Sequence, residues 1–222
     1  MKKIDKIFMN SKMMIICGII SAIFYFIGYI PYLFDTENPA YMFDFIPEMM
    51  FSVLIILLIV AFKKREINIQ KALMGALLFF FAQETFTNGF WSIEEFFAGL
   101  HEELHLSIFF ITLGIMEYAV FFTHLLLQSD HVGKKAFKVN QILSIILLFA
   151  LIIFDIYSIM KYGFDIINSG YILINLAEPL FIIMIVCMET KIQNYKQTRY
   201  ESIQNGTWNA EAKAEARKKF IA

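Results

Sequence analysis

Residues 139–160 have the sequence VNQILSIILLFALIIFDIYSIM, which indicates the structural class of the chain. This stretch carries one charged side chain, that of Asp155, and it is long enough to cross a bilayer, which takes about 20 mostly apolar residues. Similar stretches occur at about residues 13–34, 45–62, 69–88, 104–127 and 167–188. Because a chain in lipid must satisfy its own backbone hydrogen bonds, these stretches predict an all-α polytopic membrane protein, a bundle of six transmembrane helices.

The overall composition agrees with this class. Apolar residues make up 59% of the 222, whereas a soluble domain has about 45–50%. The net charge is −1, so no basic surface points to a nucleic-acid partner. Cys17 and Cys187 lie in the first and last apolar stretches and do not indicate a disulfide scaffold.

The distribution of Lys and Arg predicts the orientation, because basic residues are retained on the cytoplasmic side. If the N-terminus is cytoplasmic, only Lys161 of the 19 basic residues falls on the outer side. The sequence therefore predicts a multi-pass protein of the cell (inner) membrane with both termini in the cytoplasm. The outer segments are correspondingly acidic.

The longest predicted outer connection runs from Glu84 to His105. Residues 85–89 (Thr-Phe-Thr-Asn-Gly) have the composition of a turn, and Ser92 and Glu95 fit a capping box that would start an outer interfacial helix before the fourth span. Gly99 is the expected site of a bend in that helix. The tail is polar and rich in helix-forming residues, which predicts a transmembrane domain at 1–190 and a helical cytoplasmic tail at 191–222.

One motif is typical of an enzyme. Residues 101–105, His-Glu-Glu-Leu-His, fit the H-E-x-x-H pattern, in which two histidines on one helical face bind zinc. Glu102 would act as the general base towards a metal-bound water. A catalytic zinc usually has three protein ligands, and Glu84 is the best-placed third ligand for His101 and His105 in the sequence. The pentapeptide resembles that of zinc metalloproteases, which implies zinc as cofactor and hydrolysis as the reaction.

Ionisable residues within the predicted spans form the second candidate site. Such residues are costly in a membrane and usually functional. Glu117 lies in the fourth span, Asp155 in the fifth and Glu178 in the sixth, and His124 shares a helical face with Glu117. With no Lys or Arg at that depth, each acid must be protonated, paired with His124 or neutralised by a bound cation.

Glu178 is followed by a proline inside the sixth span. Pro179 removes a backbone donor and frees the carbonyl of Asn175, which predicts an interruption of the kind that forms transporter binding sites. The alternative is that protonated Glu117 and Glu178 form hydrogen bonds that hold helices together. Small residues, among them Gly18 and Gly75, predict close approach between helices of one chain.

Three functions remain open from the sequence. The favoured hypothesis is binding or transport of a small solute or cation at Glu117, His124, Asp155, Asn175 and Glu178. In length and number of spans the chain resembles the substrate-binding subunits of energy-coupling-factor vitamin transporters. The second hypothesis is a membrane zinc hydrolase with an outward-facing His101–His105 motif. The third is a non-enzymatic sensor, immunity or assembly subunit that contacts a partner membrane subunit through its tail.

Overall fold

The computed structural model describes residues 7–31, 41–99, 104–128, 134–163 and 166–221. Within these ranges all regular structure is helical, as the sequence predicts. The seven helices are α1 (Ser11–Gly28), α2 (Tyr41–Lys63), α3 (Ile67–Phe97), α4 (Leu104–Leu127), α5 (Lys134–Tyr162), α6 (Ile166–Gln204) and α7 (Ala210–Ile221).

Four of the described helices are long and apolar enough to span a membrane. They are Ser11–Gly28, Leu104–Leu127, Lys135–Lys161 and Gly170–Gln204. These four correspond to the predicted first, fourth, fifth and sixth spans. The described apolar part of α2, Met49–Lys63, is shorter than a span. Of the six predicted spans, four are therefore supported. Large apolar side chains lie exposed on these helices, for example Phe149 and Ile153 on α5.

The chain forms two compact units. The first unit contains residues 1–70 and 151–222, and the second contains residues 71–150. The boundaries fall near the start of α3 and within α5. The domain boundary expected after residue 190 falls inside α6, which continues as one helix to Gln204.

In the first unit α1 packs against both α2 and α6. The approach of α1 to α6 is close because glycines face the partner helix: a Cβ on Gly18 would lie 2.5 Å from Met184 Sδ, and one on Gly28 would lie 2.9 Å from the carbonyl oxygen of Gly170. Between them the Ser21 hydroxyl donates a 2.8 Å hydrogen bond to the Ala177 carbonyl. These contacts run in opposite directions along the two helices, so α1 and α6 are antiparallel.

In the second unit α3 and α4 form a close antiparallel pair. A Cβ on Gly114 would lie 2.9 Å from Phe86 Cα, and a Cβ on Gly89 would lie 2.8 Å from the backbone nitrogen of Ile111. Moving three residues towards the C-terminus of α3 is thus matched by three residues towards the N-terminus of α4. The two helices keep one register along their contact.

The predicted turn at residues 85–89 is wrong, because α3 is continuous from Ile67 to Phe97. Gly89 serves close helix packing there and not a change of direction. Ser92 is not an N-cap, since its hydroxyl donates to the Asn88 carbonyl four residues earlier at 2.9 Å. Residues 93–97, expected in a separate interfacial helix, are the last turns of α3. Gly99, with φ +73°, follows the end of that helix.

The polar tail forms a helix that packs back on the first unit. Asn209 caps α7, with its side-chain oxygen accepting from the Ala212 nitrogen at 2.8 Å. Phe220 contacts Phe62 at 5.3 Å and Tyr195 at 5.9 Å between ring centroids. The buried Lys191 donates to the Phe220 carbonyl at 3.2 Å. The tail helix is therefore docked on α6 beyond the apolar run.

Candidate functional site

Glu117 lies at the middle of α4, on the face that packs within the second unit. Its side chain is 1% exposed. Neither carboxyl oxygen has a hydrogen-bond partner among the described residues. An isolated carboxylate in an apolar environment is strongly unfavourable unless it is protonated or its charge is balanced. The Glu117 side chain is the most deeply buried acidic side chain among the described residues.

Two side chains of α3 act on the Glu117 carboxyl, namely Thr85 and Glu84. The register between α3 and α4 accounts for this proximity. Phe86 packs against Gly114, which lies one turn from Glu117. Glu84 and Thr85 come directly before Phe86 in α3. The Thr85 hydroxyl donates to the Phe81 carbonyl at 3.2 Å. The same hydroxyl oxygen also has lone pairs that can act as ligands to a cation. Two carboxyl groups and a hydroxyl lie at one level of the helix pair.

The second half of α3 carries a continuous band of polar side chains. We call this band the polar face of α3, and its described members are Gln83, Glu84, Thr87, Asn88, Ser92 and Glu94. At 3.6 residues per turn these positions cover about half of the helix surface. Gln83, Glu84, Asn88 and Glu94 are exposed, while Thr87 and Ser92 are half-buried. The band reaches from the C-terminal end of α3 to the level of Glu117.

His124 belongs to a different polar cluster, two helical turns from Glu117. Its Nε2 lies 3.2 Å from the Lys71 carbonyl and 3.1 Å from the Gln128 side-chain nitrogen. Lys71 Nζ donates to the Gln128 carbonyl at 3.0 Å. Since the Glu117 oxygens have no hydrogen-bond partner in the part of the chain that the structure describes, His124 is not paired with Glu117. Gly75 leaves room for the imidazole, with its added Cβ 3.7 Å from Nε2.

Asp155 is the corresponding buried acid of the first unit. It is 4% exposed, and both of its carboxyl oxygens lack a hydrogen-bond partner within the described ranges. Ser158 lies three residues later on the same face of α5, and its buried hydroxyl is likewise without a partner there. A second unsatisfied carboxylate thus occurs in the other unit, next to a hydroxyl.

Asn175 and Glu178 differ in their surroundings, although both lie on α6. Asn175 is 5% exposed, and its side-chain nitrogen has no partner among the described residues. Asp155 and Asn175 each lie about 10–14 Å along their helices from the short connection between α5 and α6. Glu178 is only half-buried and has interactions of its own. Helix α6 continues through Pro179.

The predicted site residues are therefore divided between the two units. Glu117 and His124 belong to the second unit, whereas Asp155, Asn175 and Glu178 belong to the first. Each unit contains one buried acid, Glu117 or Asp155, whose carboxyl oxygens have no hydrogen-bond partner within the described residues. A common site formed by all of them stays a prediction.

The metal-binding motif lies largely outside the described residues, which exclude His101 and Glu102. His105 is exposed on the first turn of α4. Glu84 lies at the level of Glu117, which is twelve residues from His105 and thus about 18 Å along α4. Metal binding by His101, His105 and Glu84 stays a prediction. Among the described residues no group of three His, Cys, Asp or Glu side chains could hold a metal ion.

No protein-family model, curated protein or solved structure matches this chain. The structure adds Thr85 to the predicted site at Glu117, and Ser158 to the site at Asp155. The sequence signal for Ser158 is its spacing of three residues from Asp155 on one helix. Thr85 had no such signal, because its position opposite Glu117 depends on the register between α3 and α4.

Proposed function

We propose that the protein binds a small cation or solute at carboxyl groups buried in its membrane-spanning helices, and that it transports this ligand across the cell membrane. The observation that supports the proposal most directly is Glu117, which is 1% exposed and has both carboxyl oxygens unsatisfied within the described residues. Acidic groups at such depth are typical of ion and substrate pathways.

The physical argument concerns the charge of the buried acids. Moving a carboxylate out of water costs on the order of several kcal/mol of solvation free energy unless other groups replace the water. Hydrogen bonds do not replace it for Glu117 or Asp155 in the described part of the chain. A bound cation, or a proton that exchanges with one, would balance the charge. A purely structural acid would instead be expected to bond a neighbouring helix.

The full membrane topology is part of this proposal. We propose six spans, with α2 and α3 crossing the membrane beside the four apolar helices and with both termini in the cytoplasm. The pairing of α3 with α4 along their length supports a crossing by α3. The placement of all Lys and Arg residues except Lys161 supports the orientation.

The proposal is tested by thermal unfolding of the full-length protein in lipid nanodiscs. NaCl, KCl and CaCl2 are titrated separately, with choline chloride keeping the ionic strength constant. A ligand that binds only the folded state stabilises it by about 2.7 kcal/mol at a hundredfold excess over its Kd. We expect a saturable rise in Tm with one of these cations. Glu117→Gln should abolish the rise, and Asp155→Asn should reduce it.

Glu66→Gln is the control, since Glu66 is an exposed acid between α2 and α3. It should keep the full rise in Tm. Equal rises in the wild type, Glu117→Gln and Asp155→Asn would show that neither buried acid binds the cation. A binding function at these carboxyl groups would then be rejected.

A further inference from the structure

We infer that Glu117, Glu84 and Thr85 form a site for a hard cation such as Na⁺ or Ca²⁺, which enters from the outer side along the polar face of α3. This inference rests on the proposed function and adds the chemical class of the ligand and its route. It concerns the second unit alone, where all the residues involved lie.

The donor atoms determine the class of cation. The site offers the oxygens of two carboxyl groups and one hydroxyl, and the Thr85 proton is directed to the Phe81 carbonyl. Oxygen ligands select hard cations, whereas zinc and copper prefer imidazole or thiolate ligands. The imidazole of His124 bonds Lys71 and Gln128 two turns away. A site with only oxygen donors therefore favours an alkali or alkaline-earth cation.

The charge balance points to the same ligand. Glu84 is exposed and Glu117 is fully buried, and the two act on each other electrostatically. Lys71, a basic residue on the same helix, is thirteen residues from Glu84, which is about 20 Å along α3. Its ammonium group already donates to the Gln128 carbonyl. A cation between the two carboxyl groups would remove their mutual repulsion.

The polar face of α3 provides the route. From Glu94 to Glu84 it extends about 15 Å along the helix. Its exposed members carry side-chain oxygens that can replace water around an ion. On α4 at the same levels, Ile108 and Ile115 are each more than half exposed, and the exposed Thr112 hydroxyl donates to the Ile108 carbonyl of its own helix. The row of side-chain oxygens on α3 therefore favours α3 as the route of an ion to Glu117.

The cation site is tested by variants of the two α3 residues in the same thermal titrations. Thr85→Val removes a hydroxyl and keeps the shape, and Glu84→Gln removes a charge. We expect each to weaken the apparent affinity for Na⁺ or Ca²⁺ at least tenfold. Thr112→Val is the matched control, since the exposed Thr112 hydroxyl also donates to the carbonyl four residues earlier. It should leave the affinity unchanged.

The route is tested by labelling a cysteine with a charged, membrane-impermeant methanethiosulfonate reagent added to the outer side of whole cells. Asn88→Cys on the polar face should be modified. Ile115→Cys should not be modified, because this residue is 56% exposed on an apolar surface that faces lipid. The wild type, with Cys17 and Cys187, gives the background.

The outcomes separate this inference from the broader proposal. If Glu117→Gln loses cation binding while Thr85→Val and Glu84→Gln keep it, the composition of the site is wrong and the proposed function stands. An unlabelled Asn88→Cys, or equal labelling of Asn88→Cys and Ile115→Cys, would reject the route. If Glu117→Gln binds Na⁺ and Ca²⁺ as well as the wild type does, this inference fails, and if Asp155→Asn does so too, the proposed function fails with it.

Discussion

The two antiparallel helix pairs, α1 with α6 and α3 with α4, achieve close packing in the same way but enclose different chemistry. Both rely on glycines at which a Cβ would meet the partner helix at less than 3 Å. In membranes, where lipid is as apolar as the protein core, such small residues let helices gain van der Waals contact. Close packing therefore does not by itself distinguish the two pairs.

The difference lies in how the polar groups are satisfied. Ser21, which joins α1 to α6, donates its proton to the Ala177 carbonyl. Glu117, which lies where α3 meets α4, has two unsatisfied oxygens in the part of the chain that the structure describes. A satisfied polar group adds stability, whereas an unsatisfied one costs stability and is retained where a ligand uses it. Under the proposed function, Glu117 of the α3–α4 pair is retained for its ligand, whereas Ser21 stabilises the packing of α1 on α6.

The largest effect is expected from alanine at Gly114, a glycine of the α3–α4 pair that lies against the backbone of the partner helix. In Gly114→Ala the new Cβ would lie 2.9 Å from backbone atoms of Phe86, which cannot move independently. We expect a loss of about 3 kcal/mol, the upper part of the range for overpacking. The loss is measured by SDS titration in mixed micelles with helix content followed by circular dichroism.

Gly18→Ala provides the comparison in the other pair. The atoms that its Cβ would meet are Met184 Sδ and Ile59 Cδ1, the far ends of flexible side chains. Its expected cost is smaller, about 1 kcal/mol. Equal costs for Gly18→Ala and Gly114→Ala would mean that the backbone contact of α3 with α4 is looser than the structure shows.

The polar groups should respond to substitution with opposite signs. Ser21→Ala removes a satisfied hydrogen bond and should lower stability by about 0.6–1 kcal/mol. Glu117→Gln, measured without added cation, removes the free-energy cost of holding this carboxyl group, protonated or charged, away from water, and should raise stability by about 1 kcal/mol. The same SDS titration at pH 7 measures both. A destabilising Glu117→Gln would instead indicate that the Glu117 carboxyl has a structural hydrogen bond.

The smallest effect is expected at Gly75, where α3 leaves room for His124. An added Cβ would make only ordinary contacts, 3.5 Å from the Gln128 side-chain nitrogen and 3.7 Å from His124 Nε2. Since alanine is a better helix former than glycine, Gly75→Ala should stabilise the protein by about 0.5 kcal/mol. A loss of more than about 1 kcal/mol would show that the His124 cluster needs the space.

Local sequence pattern predicted part of this architecture well. The fourth span, 104–127, coincides with α4, and the start of the sixth coincides with α6 to within a residue. Long apolar stretches allow such prediction because the bilayer fixes both length and composition. The prediction failed at residues 85–89 and at Ser92. Gly89 allows close packing of α3 on α4 there, and the short polar residues belong to the polar face of α3. Glycine and short polar residues have both uses, and one sequence does not separate them.

The amino-acid sequence predicts the helical membrane class and acids within the spans at Glu117 and Asp155, since both follow from hydropathy along the chain. The packing of the helices shows which acids are unsatisfied among the described residues, that His124 bonds Lys71 and Gln128, and that Glu84 acts electrostatically on Glu117. These facts depend on helix rotation and register. Rotation and register are set by contacts between helices, which hydropathy along a single chain does not encode.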